Sequence, residues 1–277
     1  MSCIVTAIII TKNESIHIGR CIDSIKKHVS KVVVVDSGSE DKTENIVLKK
    51  GGEFYFNKWE GYANQVNWAI NKVSNSSDWI LRIDADEIIN ESRITVKEYL
   101  DKLDTKINGL NIRRNIYFGN ELVKSGGVYN QRILRIIRSG FGKCENKAMD
   151  EHLISEELII DSPFIFSDIS LRDFKEFICK HIDYANLEVI SRFEKNMNHN
   201  KKFKYAKNTV MKKFLKKNIF YRLPSRLRPF LFYFYRLFIR GGIFDTKGAF
   251  YYHLFQGLMY RSFVEYLHHK KTTQKNK

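Results

Sequence analysis

The chain has 277 residues, 43% of them apolar, which is enough for one large domain or for one domain with an appendage, and excludes disorder of the whole chain. Its formal net charge of +16 is concentrated, because residues 195–244 hold fourteen basic residues and no acidic one. No apolar run reaches the roughly eighteen residues that a membrane-spanning helix needs, so the sequence argues against a protein that crosses a membrane. Four scattered cysteines without metal-type spacing favour reduced thiols and a cytoplasmic location.

The first hundred residues alternate between two hydrophobic periods. Short β-branched runs predict strands at Ile4–Ile10, Lys31–Val35, Glu53–Phe56 and Trp79–Ile83, and helical spacing predicts helices at Ile16–Lys27, Thr43–Lys50 and Tyr62–Val73. This alternation predicts an α/β fold with a mostly parallel sheet flanked by helices. The first run lacks a basic leader, so we interpret it as a strand and not as a signal peptide.

The second half changes character twice. Residues 109–138 are strand-like with glycine punctuation, which predicts a smaller mixed or antiparallel segment that completes the sheet and one wall of a cleft. After Pro163 a helical period dominates, with predicted helices at Arg172–Asn198, Tyr205–Lys217, Arg226–Arg240 and Lys247–His269. We therefore expect an α/β domain at 1–165, a helical basic and aromatic region at 166–270, and a polar tail at 271–277.

Three carboxylates follow the fourth predicted strand: Asp84, Asp86 and Glu87. Mutual repulsion and desolvation make such a cluster costly unless a cation compensates it. Asp84 and Asp86, two residues apart at a strand exit, suit Mg²⁺ or Mn²⁺, because these ions prefer hard oxygen ligands and leave positions open for a diphosphate. A solvated loop is the alternative, and it would be the commoner explanation of an isolated pair.

Polar residues also follow the first two predicted strands, at Thr11–Glu14 and Asp36–Asp41. Ligands of parallel sheets bind at the carboxyl ends of the strands. The Asp36 carboxylate can accept hydrogen bonds from a base or ribose, whereas the hydroxyls after it are equally explained as turn formers. These neighbours favour a functional interpretation of the acidic cluster over a solvated loop.

Taken together, these motifs resemble the family 2 glycosyltransferases, which have the GT-A type of nucleotide-sugar-binding fold. The resemblance rests on IIITKNES (8–15), VVVVDSGSEDKT (32–43), WEGYANQVNWAI (59–70), DWILRIDADE (78–87), RRNIYFGNELVKSGG (113–127), RILRIIR (132–138) and KAMDEHL (147–153). Ordered motifs are much more specific than any one of them. The last three resemble the bacterial subgroup that adds sugars to lipopolysaccharide core or surface polysaccharide.

The resemblance implies roles for individual residues. The implied donor-binding residues are Thr11, Asn13, Glu14, Asp36, Asn67, Asp84 and Arg135. Asp86 is the implied direct metal ligand, with Asp84 beside it, and the implied donor is a UDP-sugar. One position departs from the family: Val66 stands where a basic residue often precedes Asn67, which puts part of the recognition of base or phosphate by this segment in doubt.

Asp150 and Glu151 are the candidates for a general base. Attack by a sugar hydroxyl on an anomeric carbon needs a base, and a partly buried carboxylate has a raised pKa that suits this role. The resemblance favours Asp150, with Glu151 as the competitor. His152 is either a third metal ligand or a residue that hydrogen-bonds within its loop. One base and a metal-stabilised leaving group predict a single displacement with inversion.

The segment RLPSRLRPFLFYFYRLFIRGG (222–242) interleaves arginines with aromatic residues. A basic amphipathic helix of this kind can lie in the headgroup region of an anionic membrane surface, which suits an enzyme with a lipid-linked or oligosaccharide acceptor. The alternative is that the aromatic residues pack on the catalytic domain. We expect a peripheral protein at the inner face of the cell membrane that builds lipopolysaccharide, capsule or exopolysaccharide.

Other classes explain less of the sequence. A basic patch with aromatic residues is typical of nucleic-acid-binding proteins, but that function leaves the acidic motifs without a role, so no nucleic-acid partner is expected. A nucleotidyltransferase or a dinucleotide oxidoreductase is disfavoured because no glycine-rich loop follows the first strand. Trp59, Tyr62 and Trp68 are interpreted as core residues more readily than as a sugar platform.

Overall fold

The computed structural model describes residues 2–146, 151–155, 157–194 and 220–275. The strands are β1 (Val5–Thr11), β2 (Lys31–Asp36), β3 (Glu53–Phe56), β4 (Trp79–Arg82), β5 (Glu87–Ile89), β6 (Ile107–Phe118), β7 (Glu121–Leu122), β8 (Gln131–Arg138), β9 (Lys143–Cys144), β10 (Leu153–Ile154) and β11 (Leu158–Ile169). The helices are α1 (Ile18–Ile25), α2 (Thr43–Lys49), α3 (Tyr62–Val73), α4 (Val96–Leu100), α5 (Phe174–Glu194), α6 (Arg228–Phe234), α7 (Lys247–His253) and α8 (Tyr260–Lys275). A π-helical turn at Tyr235–Ile239 continues α6, and another at Leu254–Met259 joins α7 to α8.

The main sheet has the strand order β3-β2-β1-β4-β8-β6-β11-β5, with β7 paired to β6. The first four strands are parallel. β8 runs antiparallel to β4 and β6, β11 is parallel to β6, and β5 is antiparallel to β11. The predicted α/β class and the predicted mixed segment that completes the sheet are both confirmed.

The core lies on both faces of this sheet. Successive side chains of a strand point to opposite faces, and β1 shows this clearly: Ala7 and Ile9 pack on the side of α1, whereas Ile8 packs on the side of α3. Helix α1 presents its apolar residues at spacings of three and four, which places them on one helix face. Burial on both faces explains why β2 reads as an uninterrupted run of valines.

Strand β11 continues the sheet beyond Pro163, where the sequence pattern predicts mainly helix. Phe164 and Phe166, two residues apart on this strand, point to the same face of the sheet and are buried in the core. Pro163, which cannot donate a backbone hydrogen bond, lies where the register between β11 and β6 shifts, between Asp161 and Ile165. The predicted domain boundary after residue 165 therefore falls inside a strand, and the division into domains stays a prediction.

The C-terminal helices pack on each other and on the sheet. Ala185 of α5 is buried in a small cluster with Val264 of α8. The Phe118 ring at the end of β6 lies 5.4 Å from the Phe177 ring and 5.9 Å from the Tyr252 ring. Helices on either side of the aromatic segment 222–242 therefore pack on the end of β6, and neither of these two ring contacts involves that segment. The predicted helix at residues 205–217 lies outside the described residues, and none of the described helices is long and apolar enough to span a membrane.

Candidate functional site

The loops after β1 and β2 meet at the carboxyl edge of the sheet. Thr11 stands opposite Asp36 in the β1–β2 pair, and its hydroxyl donates to Asp36 Oδ2 at 2.9 Å. Asp36 Oδ1 accepts from the backbone amides of Gly38 at 2.8 Å and Ser39 at 2.6 Å. Because Thr11 and the loop after β2 together engage both oxygens of this buried carboxylate, the contact predicted between Asp36 and a base or ribose stays a prediction.

Asn13 fastens the first of these loops to the second. Its backbone adopts a left-handed conformation, with φ of 54°, which asparagine tolerates better than most residues. Its amide N–H donates to Ser39 Oγ at 2.7 Å, and its Oδ1 accepts from the Glu40 amide at 2.9 Å. The donor-binding roles implied for Thr11 and Asn13 stay predictions, but both side chains lie where a ligand of this sheet would bind.

Glu14 connects the β1 loop to the start of the helical region. Its Oε2 lies 2.6 Å from His17 Nδ1, and its Oε1 lies 3.0 Å from Arg172 Nη2. His17 Nε2 accepts from the Leu171 amide at 2.8 Å, which assigns the imidazole proton to Nδ1. Burial alone would raise the pKa of Glu14, but the hydrogen bond from His17 and the charge of Arg172 lower it. Glu14 therefore links the β1 loop to Arg172 through an ion pair, and its donor-binding role stays a prediction.

The Asp84 carboxylate is compensated by basic residues of the protein itself. Its Oδ1 accepts from the Tyr62 hydroxyl at 2.8 Å and from Arg82 Nη2 at 3.3 Å, and its Oδ2 accepts from Arg135 Nη2 at 3.0 Å. Burial would raise the pKa of Asp84, but the two guanidinium groups hold it well below its usual range. Tyr62 thus belongs to the site and not only to the core.

Arg135 lies on β8 beneath this carboxylate. It is 2% exposed, and its Nη2 also donates to Glu87 Oε1 at 2.6 Å. Glu87 Oε2 accepts from the Asp84 amide at 3.0 Å. Burial raises the pKa of Glu87 to about 7, with Asp84 acting in the same direction and Arg135 opposing it. The donor-binding role implied for Arg135 stays a prediction, because its guanidinium group pairs here with the carboxylates of Asp84 and Glu87.

Asp86 is paired with a residue that the sequence did not single out. Lys180 of α5 places its Nζ 3.5 Å from Asp86 Oδ2. Asp168, at the end of β11, stands opposite Glu87 in the β11–β5 pair and lies 4.0 Å from Arg114 Nη1. Burial and the nearby Asp86 charge raise the pKa of Asp168 to about 6. The signal for Asp168 is an acidic residue at the end of an apolar strand, which the helical interpretation of that segment obscured.

The residues present fit a divalent ion. The side chains of Asp84 and Asp86 are 30% and 20% exposed, so both offer hard oxygen ligands at an accessible edge. Within the described residues, no three His, Cys, Asp or Glu side chains form a group able to hold a metal. Mg²⁺ is commonly bound through one or two carboxylates, with phosphates and water completing its shell. The His152 carbonyl accepts from the Glu145 amide at 2.9 Å, and its predicted role as a third ligand stays a prediction.

The acceptor side is described in part. Asp150, the favoured base, lies outside the described residues, and the Glu151 carbonyl is 3.5 Å from Arg82 Nη1.

Asn67 donates to the Cys144 carbonyl at 3.0 Å and accepts from the Cys144 amide at 2.8 Å. Because its side-chain amide ties α3 to β9 in this way, the donor-binding role implied for Asn67 stays a prediction.

Comparison with known proteins identifies the family. Residues 6–152, more than half of the chain, match the model described as Glycosyl transferase family 2. A lipopolysaccharide core biosynthesis glycosyltransferase from Rhizobium meliloti, LpsC, is 31% identical over 54% of this chain and 57% of its own length. An uncharacterized glycosyltransferase from Rickettsia conorii is 41% identical over 35% of this chain and 33% of its own length. The matches therefore span less than two thirds of these relatives.

A solved structure is also similar. Glucosyl-3-phosphoglycerate synthase from Mycobacterium tuberculosis, crystallised with Mn²⁺, UDP and glucosyl-3-phosphoglycerate, is 20% identical, with a TM-score of 0.33. The similarity covers 42% of this chain and 44% of that chain. The family match confirms the GT-A fold class expected from the sequence, and the observed mixed sheet agrees with it.

Proposed function

The chain belongs to glycosyl transferase family 2, and from that premise we propose an inverting, metal-dependent glycosyltransferase that uses a nucleotide-sugar, preferably a UDP-sugar. One observation carries the proposal. Thr11 and Asp36 end two adjacent parallel strands, and Asp84 and Asp86 follow the strand on the other side of β1. This edge is where α/β sheets bind their ligands. The acceptor is a lipid-linked or growing surface glycan, and the description of LpsC supports the lipopolysaccharide core.

The chemistry is a single displacement. The oxygen of an acceptor hydroxyl forms a bond to the anomeric carbon, while the bond from that carbon to the diphosphate oxygen breaks. The hydroxyl proton passes to the carboxylate of Asp150 or Glu151, and the nucleoside diphosphate leaves. When bound, a divalent ion held by Asp86 with Asp84 would offset the negative charge that develops on the leaving group. Attack from the face opposite the leaving group inverts the anomeric carbon.

Calorimetric titration with UDP, GDP and dTDP, each with and without Mn²⁺, tests this proposal. We expect Mn²⁺-dependent binding of one nucleotide, lost in Asp86→Asn, which keeps the shape of the side chain but removes its charge. Asp23→Asn is the matched control, because Asp23 is a surface residue of α1 that pairs with Lys50. If no nucleotide binds the wild type under either condition, the edge is not a diphosphate site and the proposal fails.

We further propose that the helical region holds the enzyme on an anionic bilayer, where a lipid-linked acceptor is confined. Large apolar side chains recur along α6 and the turns after it and face solvent; Ile239 is 74% exposed and Phe244 90% exposed. The exposed members of this apolar ridge are Leu227, Phe230, Leu231, Phe234, Phe238, Ile239, Ile243 and Phe244. Basic residues flank the ridge in sequence, and the stretch 195–244 has no acidic residue, which favours anionic lipid over protein as the occupant.

Co-sedimentation with vesicles tests this surface. We expect binding to vesicles that contain phosphatidylglycerol, weaker binding to phosphatidylcholine alone, and a loss of affinity of about tenfold or more in the double variant Ile239→Ser, Phe244→Ser. Leu48→Ser is the control, because Leu48 is an exposed apolar residue of α2, away from the ridge. Equal losses in the double variant and in the control would contradict a specific membrane face.

A further inference from the structure

Lys180 is the basic residue that faces the carboxylate expected to bind the metal. Its Nζ lies 3.5 Å from Asp86 Oδ2, and its side chain is 38% exposed. The Tyr184 ring is close by, with its centroid 5.8 Å from Nζ. Lysine carries a compact point charge on a flexible four-carbon stem, so the ammonium group can exchange one anionic partner for another within its reach.

The helix that carries Lys180 is held over the site. Arg172, just before α5, donates to the Asn13 carbonyl at 2.9 Å and pairs with Glu14 at 3.0 Å. On the other side, the Phe177 ring packs edge-on against Phe118 of β6. Because both contacts fix the backbone of α5, the Lys180 side chain stays within reach of the Asp86 edge whichever anion it pairs with.

The acidic cluster is balanced without any added ion. Each carboxylate lies within 4.0 Å of a basic group: Asp84 of Arg82 and Arg135, Glu87 of Arg135, Asp86 of Lys180, and Asp168 of Arg114. A bare dication bound at Asp86 would take the partner of Lys180 and stand beside its charge, which is repulsive. The diphosphate of a nucleotide-sugar, a dianion that arrives with the dication, cancels this excess and offers Lys180 a new partner, and free UDP, with about three negative charges near neutral pH, does so at least as well.

We infer that Lys180 is an internal counter-cation of Asp86 that makes metal binding conditional on the nucleotide diphosphate. This inference rests on the proposed function, because it takes Asp86 as the metal ligand and a nucleotide diphosphate as the co-ligand. Lys180 disfavours the metal alone, and it favours the metal together with the nucleotide. The enzyme thereby avoids a site filled by metal without donor.

The test is a binding cycle with Mn²⁺ alone, UDP alone, and each in the presence of the other, measured by calorimetry. We expect Lys180→Gln to bind Mn²⁺ alone roughly tenfold more tightly than the wild type, since one nearby charge in a partly exposed site is removed. The factor by which UDP tightens Mn²⁺ binding should fall by about tenfold or more in the same variant. Thermodynamic linkage requires Mn²⁺ to tighten UDP binding by the same factor as UDP tightens Mn²⁺ binding. Agreement between the two measured factors therefore checks the data for each variant.

Two matched variants separate this role from a general effect of charge or fold. Lys175→Gln removes an exposed lysine of the same helix and should behave like the wild type, as should Lys180→Arg, which keeps the charge. If Lys180→Gln still binds UDP with Mn²⁺, but UDP tightens Mn²⁺ binding by the same factor as in the wild type, the inference is wrong and the proposed function stands. If the wild type binds neither Mn²⁺ nor UDP, both are wrong.

Discussion

Replacing Arg135 by methionine tests whether this arginine makes the carboxylate cluster tolerable. Arg135 Nη2 lies 3.0 Å from Asp84 Oδ2 and 2.6 Å from Glu87 Oε1, and the arginine side chain is 3% exposed. Methionine keeps an unbranched apolar stem but removes the charge that the two carboxylates share. Breaking a buried ion pair costs about 3–5 kcal/mol, because a charge remains uncompensated in the interior. We expect Arg135→Met to lower the free energy of unfolding by about this amount near pH 8.

The loss should depend on pH in a defined direction. Burial already raises the pKa of Glu87 to about 7 in the wild type, and removal of the arginine raises it further. A carboxyl group whose pKa is higher in the folded state than in the unfolded state binds its proton more tightly when folded, so stability rises as the pH falls through the folded pKa. Near pH 5.5 the variant should therefore recover about 1–2 kcal/mol relative to the wild type.

Urea unfolding, followed by the fluorescence of buried Trp79, measures these differences. The matched variant is Arg135→Met combined with Glu87→Gln. Asp84 keeps its ion pair with Arg82 when Arg135 is lost, whereas Glu87 loses the basic partner it has among the described residues. The double variant should therefore be more stable than Arg135→Met alone near pH 8. The reasoning is refuted if Arg135→Met costs less than about 0.5 kcal/mol at both pH values, because water would then screen the cluster.

Three further substitutions probe the scaffold. Burial lowers the pKa of His28 from its ordinary value of 6.5 to about 4, so the protein loses stability as the pH falls from 6.5 towards 4. In urea unfolding, His28→Gln should reduce this loss by up to about 3 kcal/mol. Asn67→Ala should lower the free energy of unfolding by about 1–2 kcal/mol in urea, because it removes two hydrogen bonds to the Cys144 backbone. Titration of the same variant with UDP tests the implied donor-binding role, which requires a loss of UDP affinity. Gly126→Ala would place a Cβ against the His253 ring, so its melting temperature should fall further than that of Gly119→Ala, where the positive φ is similar but the space is open.

The parallel half of the fold follows from local sequence patterns. The predicted strand Glu53–Phe56 and the predicted helix Tyr62–Val73 have the observed bounds, and the other early elements differ by one or two residues at their ends. Hydrophobic period is a local property, so it needs no knowledge of which strands become neighbours. The hydrophobic period also showed that Asp84 and Asp86 follow the end of a strand. Because the carboxyl ends of parallel strands share one edge of the sheet, this placed both residues at that edge.

Partners from distant elements could not be predicted in this way. β11 inserts between β6 and β5, out of sequence order, and this insertion brings Asp168 opposite Glu87. Lys180 and Arg172 reach the site only because the chain after β11 turns back over the β1 loop. Nothing in the local pattern around Lys180 distinguishes it from the solvated lysines of the same region.

The way in which the acidic cluster is compensated has a consequence for the order of binding. The sequence predicted that a metal ion makes the carboxylates tolerable, whereas the structure shows Arg82, Arg135 and Lys180 already in that role. These basic residues compensate the carboxylates without a metal ion. The affinity of this edge for a metal ion can therefore depend on whether the donor is bound. A nucleotide-sugar diphosphate and a divalent ion carry nearly equal and opposite charge, so together they leave the balance of the edge unchanged. On the proposed function, an edge whose charge is balanced before and after binding would favour the donor–metal pair over either member alone, and Lys180→Gln is the substitution expected to weaken this preference.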